Sequence, residues 1–134
     1  MKGLRSGKGK EYYNDSKLQF EGEFLNGVKN GKIKEYYTNG IKIFEGYYSN
    51  GIKQGKAKEY YTNGQLLFEG EYVNGFKNGK AKEYFHVNDG LIFEGEYKNG
   101  KRWNGKGKEG FFMGKFSFEG EYLNGEKIEK KIYI

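Results

Sequence analysis

Apolar and polar residues alternate along most of this chain, in short runs broken by glycine and asparagine. A period of two is the pattern of a β-strand with unlike faces, because successive side chains point to opposite sides. No segment of ten residues keeps the spacing of an amphipathic helix. The runs also recur. Phe-Glu-Gly occurs at Phe20, Phe44, Phe68, Phe93 and Phe118, in steps of 24, 24, 25 and 25. Gly-Lys-x-Lys-Glu starts at Gly7, Gly31, Gly55, Gly79 and Gly105, in steps of 24, 24, 24 and 26. Five copies therefore make one repeat domain over 1–134, near 7–30, 31–54, 55–78, 79–104 and 105–125. Residues 126–134 depart from the repeat and read as a capping strand.

The third copy sets the expected register. Asn63-Gly64 sits between two strand-like runs, and Asn-Gly suits the positive φ angles of a two-residue hairpin turn. Glu59 then opposes Phe68, Ala57 opposes Gly70 and Tyr61 opposes Leu66, all on the face of Tyr72. On the other face Tyr60 opposes Leu67, Lys58 opposes Glu69 and Lys56 opposes Glu71. A slip of one residue would undo both charge pairings. Asn74-Gly75 and Asn78-Gly79 mark a longer loop to the next copy. Repeats 1, 4 and 5 replace the tight turn with Asp15-Ser16, with the stretch from His86 to Gly90, and with Met113-Gly114, so these three should differ in shape.

One face is thus aromatic and small. Gly22, Gly46, Gly70, Gly95 and Gly120 fall between the rings, where an aromatic from a neighbouring strand can lie over a position lacking a side chain. Nothing else in the sequence covers this face. The expected fold is all-β: an elongated, single-layer, twisted antiparallel sheet of stacked hairpins with ten or eleven strands. Its aromatic face would be buried either by strong coiling or by dimerisation.

Composition narrows the chemistry. With 0 Cys and 1 His, neither a disulfide framework, a thiolate metal site nor a Cys–His pair is available, and no metal or cofactor is expected. His86 stands alone in an irregular turn. Asp15 and Asp89, the two aspartates, are turn formers. Gly105-Lys106-Gly107-Lys108-Glu109-Gly110 spells a dinucleotide-binding pattern but lacks the helix that such a site requires. Asn14-Asp15-Ser16 is a formal glycosylation sequon that reads as a turn. The start, Met1-Lys2-Gly3-Leu4-Arg5, has no apolar run for a signal peptide, so a cytoplasmic location is expected. The chain fits either a whole small protein or a piece of a longer array.

Two surfaces remain as binding candidates. The first is the aromatic face, with the ladder Tyr13, Tyr37, Tyr61, Phe85 and Phe111 and the carboxylates Glu35, Glu59 and Glu83, part of a row that includes Glu11 and Glu109. Like strands of successive hairpins lie ~9–10 Å apart, a spacing at which carboxylates could meet basic peptides or cations, or instead lie at the edge of the trough or bond a backbone N–H or tyrosine hydroxyl of the next repeat. The second is Lys98, Lys101, Arg102, Trp103, Lys106 and Lys108, a basic cluster around a tryptophan that suits an anionic phospholipid or phosphoinositide surface. The net charge of +6 permits anionic partners, but no nucleic-acid module is present and none is expected as partner.

Phe68-Glu-Gly-Glu-Tyr72, followed by Asn74-Gly75, Asn78-Gly79-Lys80 and Tyr84, resembles the MORN repeat. The 24–25-residue spacing and the Tyr-Tyr-x-Asn-Gly ending look like the variant repeats common in bacteria. The resemblance spans about residues 7 to 125 and implies no catalysis by the repeats. It implies a scaffold that binds a protein partner or forms a homodimer. Membrane binding and toxin neutralisation, as in antitoxins, are the alternatives it carries.

Overall fold

The computed structural model describes residues 5–86 and 90–129. The strands are β1 (Gly7–Tyr12), β2 (Leu18–Leu25), β3 (Val28–Tyr36), β4 (Lys42–Ser49), β5 (Ile52–Tyr60) and β6 (Leu66–Val73). They continue as β7 (Phe76–Tyr84), β8 (Leu91–Lys98), β9 (Lys101–Phe112), β10 (Lys115–Leu123) and β11 (Glu126–Glu129). All belong to a single antiparallel sheet in which spatial order equals chain order. β11 supplies the start of the expected capping strand; residues 130–134 of that expectation, and Val87 to Asp89 of the fourth turn, lie outside the described residues.

The central register is as the charge pattern requires. Glu59 pairs with Phe68, Lys58 with Glu69, Ala57 with Gly70 and Lys56 with Glu71. The turn beyond is different. Tyr60 pairs with Leu66 across a bulge, so Leu67 is the extra residue. Gly64 N–H donates to the Tyr61 carbonyl at 2.9 Å, and Tyr61 N–H to the Gln65 carbonyl at 2.9 Å. With Gly64 at φ 90°, this is a three-residue loop built on a type I turn, not a two-residue one. Asn63 Oδ1 accepts the Gln65 N–H at 2.9 Å, an arrangement that favours this shape. The Asp15-Ser16 turn of repeat 1 has the same hydrogen bonds, contrary to expectation, with Ser16 in the glycine place at φ 73°.

The tight turns lie at the other rim. Asn74 and Gly75 have φ 51° and 86° and join Val73 directly to Phe76. Asn26, Asn50, Asn99 and Asn124 repeat that geometry, so the expected longer loop is itself a hairpin turn. Asn78-Gly79 falls inside β7, within a bulge opposite Glu71. Turns at this rim stack on one another. Gly51, Gly75 and Gly100 N–H donate to the carbonyls of Lys29, Lys53 and Lys77 at 2.8, 2.9 and 2.9 Å.

Among the described residues the aromatic face closes on itself without a second layer. Phe44, Phe68 and Phe93 are 1%, 0% and 1% exposed in a single chain, so these rings are core and not an interface. Each meets tyrosines edge-on, as Phe68 meets Tyr72 and Tyr97 at 6.0 Å. The glycine slots differ in detail from the expected one. A Cβ on Gly70 would stand 2.7 Å from Phe68 Cζ and 2.8 Å from Ala81 Cβ. The ring over the glycine therefore comes from the same strand, two residues back.

Candidate interaction surface

On the aromatic face the candidate residues are occupied by contacts within the chain. The hydroxyls of Tyr13, Tyr37 and Tyr61 donate to the carbonyls of Tyr36, Tyr60 and Tyr84 at 2.6, 2.8 and 2.7 Å. Each ties its hairpin to the next repeat. Phe85 is buried against Phe111, Phe116 and His86 at 4.6, 5.3 and 4.7 Å, while Phe111 keeps an exposed flank. Glu35, Glu59 and Glu83 accept hydrogen bonds from the hydroxyls of Tyr48, Tyr72 and Tyr97. Burial, then the facing carboxylate, pushes the Tyr48 and Tyr72 hydroxyls well above the ordinary phenol range. Glu109 holds Tyr122 and Lys127 in the same way.

A cation completes each unit. Lys29, Lys53, Lys77, Arg102 and Lys127 stand over Phe20, Phe44, Phe68, Phe93 and Phe118 at 3.9, 4.5, 4.2, 4.8 and 5.6 Å. Lys29 also bonds Glu35 at 3.2 Å, and Arg102 bonds Glu83 at 3.1 Å. The row is hidden in the sequence because the segment from Asn74 to Gly79, which holds Lys77, reads as loop from its two Asn-Gly pairs. The signal was available: these cations follow steps of 24, 24, 25 and 25, the same as the phenylalanines beneath them.

The opposite face is a checkerboard of charge. Lys10, Glu21, Lys34, Glu45, Lys58 and Glu69 follow one another across β1 to β6, and the alternation continues to Glu121 on β10. Lys58 lies 3.7 Å from Glu69, and Lys42 bonds Glu45, whose carboxyl it holds below the usual range. Shallow recesses of about 910, 850 and 450 Å³ run along this face. Along the rim of tight turns it carries a rail of apolar side chains. Leu25, Val28, Ile52, Val73 and Phe76 are 44%, 43%, 50%, 40% and 57% exposed.

The basic cluster is split between the faces. Lys98 and Lys101 face each other across the tight turn, with Lys98 Nζ 4.8 Å from the Trp103 ring. Arg102 points to the aromatic side and bonds Tyr122 Oη at 2.9 Å and the Lys108 carbonyl at 3.0 Å. Burial works against its charge, but Glu83 and Tyr122 outweigh that and hold the guanidinium above its ordinary value. Lys106 lies in register between Glu94 and Glu121, and Lys108 is 3.6 Å from Glu119.

Comparison with known families agrees with this geometry. The MORN repeat variant matches residues 5–26, 29–51 and 53–74, and the MORN repeat matches 68–89 and 93–115. The chain belongs to the MORN-repeat family. No curated relative matches it. The variant matches begin just before β1 or within β3 and β5 and end at a tight Asn-Gly turn, whereas the other two begin at Phe68 and Phe93. Both phases cut the same pair of hairpins. MORN repeats are a non-catalytic repeat type, and here each supplies a phenylalanine, a cation and a glutamate to one face, joined by a tyrosine in every copy but the first, where Phe24 stands, and a lysine–glutamate lattice to the other, broken in the second copy by Tyr47. Trp103 is an insertion in this frame: Asn99 and Asn104 are five residues apart, where Asn74 and Asn78 are four.

Proposed function

We propose that this MORN-repeat chain is a scaffold that binds a protein partner along the charged face and its apolar rail. The carrying observation is the division of labour between faces. The aromatic ladder, Phe111 apart, is engaged inside one chain, while five large apolar side chains stand exposed in a line beside paired charges. Interfaces combine such apolar anchors with a polar surround that fixes register. An antitoxin-like role is the special case in which that partner is a toxin. The lipid reading retains Lys98, Lys101 and Trp103 as a smaller cluster on the same rim.

Photo-crosslinking separates these readings. A benzoylphenylalanine at Ile52 or Phe76, in cells making the protein, should trap a protein or a second copy of the chain. The same group at Thr62, on the opposite rim, should trap nothing. Crosslinks to lipid alone, or equal yields from both rims, would overturn the proposal.

A further inference from the structure

The repeats serve as controls for one another. The residue after Phe-Glu-Gly is Glu23, Glu71, Glu96 and Glu121 in four copies and Tyr47 in the second. In those four copies the glutamate stands opposite a lysine: Lys8, Lys56, Lys80 and Lys106. In the second, Lys32 stands opposite Tyr47. Packing does not call for the ring, which is 46% exposed on the charged face. A Cβ built on Gly55 would only reach ordinary contact with Tyr47 Cβ, at 3.9 Å.

The substitution changes the local field. Tyr47 occupies the place of the carboxylate that Lys32 and Lys56 would share, and all three line the recess of about 910 Å³. Glu23 lies against Gly31, in the bulge that also holds Lys32, and Glu71 stands opposite Lys56. Glu45, the next outward residue of β4, is engaged by Lys42. An exposed aromatic ring thus stands between two exposed lysines. The rail is adjacent: the same face of β4 leads to Ser49, whose partner is Ile52, and the Gly51 turn rests against Val28.

We infer that repeat 2 is the docking site for an acidic protein segment bearing apolar anchors. Its carboxylates meet Lys32 and Lys56, and its apolar side chains cover Tyr47, Ile52 and Val28. This deepens the scaffold reading and rests on it. Charge selects the occupant. A second copy presenting the same patch would set lysines against lysines, and a lone anionic group would leave the ring and rail uncovered.

The probe is the fluorescein-labelled peptide Glu-Glu-Leu-Phe-Glu-Glu-Leu-Phe, followed by anisotropy and by amide shifts of the labelled protein. It should bind at β3–β5. Tyr47→Glu, which restores the repeat residue, should weaken it by about tenfold or more, a loss typical of an interface anchor. Lys32→Gln should weaken it in the same direction, and a peptide with Lys for Glu should not bind. Glu71→Tyr, which puts a second ring beside Lys56 and frees that lysine of its carboxylate, should tighten binding of the same single peptide. Equal affinity of wild type and Tyr47→Glu, equal binding of the lysine peptide, or binding to phosphatidylserine vesicles with none to the peptide would overturn the inference. If Phe76 still crosslinks to protein while Tyr47→Glu leaves peptide binding unchanged, the scaffold reading survives and this one fails.

Discussion

At the scale of single residues, this sheet is held by carboxylates that accept hydrogen bonds from tyrosine hydroxyls. Tyr36 is the outward-facing case. Its hydroxyl donates to Glu21 at 2.7 Å, and burial, then Glu21, pushes its pKa up to about 12. The unfolded phenol ionises near 10. The fold therefore favours the protonated form. Tyr36 contributes stability that is full below the unfolded value and is lost as pH rises through the folded one. Absorbance titration near the phenolate band should show Tyr36 ionising late, together with Tyr48 and Tyr72, and Tyr36→Phe should remove about one tyrosine from that late group. Between pH 10 and 12 the variant should lose less unfolding free energy than the wild type. An unchanged late group would show that Glu21 does not hold this hydroxyl. The Glu59 row was legible as a repeated position on the aromatic face, but the hydroxyl expected from the next repeat comes from the same hairpin. The partner's identity was not legible, because Tyr72 Oη reaches Glu59 diagonally across one hairpin and strand alternation alone says nothing about reach.

Elements show why similar letters gave two structures. Asn63-Gly64 and Asn74-Gly75 are the same dipeptide, yet one ends a type I loop and the other forms a tight turn. Asn-Gly supports both, since glycine takes the positive φ in each and asparagine tolerates it in one. The register survived the misplaced turn because Lys58–Glu69 and Lys56–Glu71 fix it independently. Two glycines of one hairpin separate conformation from space. At Gly64 a Cβ meets nothing closer than 3.8 Å, but φ is 90°, so Gly64→Ala should cost about 1 kcal/mol. At Gly70 the obstacle is Phe68 Cζ at 2.7 Å and Ala81 Cβ at 2.8 Å, which pins β6 to β7. Gly70→Ala should cost about 3 kcal/mol, the upper end for overpacking a core. Urea unfolding of both variants measures the order; a larger loss at Gly64 would mean that the ring over Gly70 moves aside cheaply.

The whole molecule is a line of strands, each paired with its neighbours in chain order. No second layer bypasses a weak point among the described residues, so stability is close to a sum of repeats and the interfaces between them. The central rings carry those interfaces: Phe68 touches Tyr72 in its own hairpin and Tyr97 in the next. Two consequences distinguish a core ring from a dimer contact. Phe68→Ala should cost about 3–5 kcal/mol, as for other buried phenylalanines. Because Phe68 is fully buried in one chain, light scattering should return the same mass for variant and wild type. The loss should also be spatially graded. Hydrogen exchange in the wild type should be fastest in β1 and β11, each paired on one side, and slowest from β5 to β8. In Phe68→Ala the slow block should divide, with β5 to β7 exchanging early and β8 to β10 retaining protection through Phe93, Phe118 and Tyr122. Uniform acceleration of all strands would instead show that the five repeats unfold as one unit, and a fall in mass would return the aromatic face to the role of an interface.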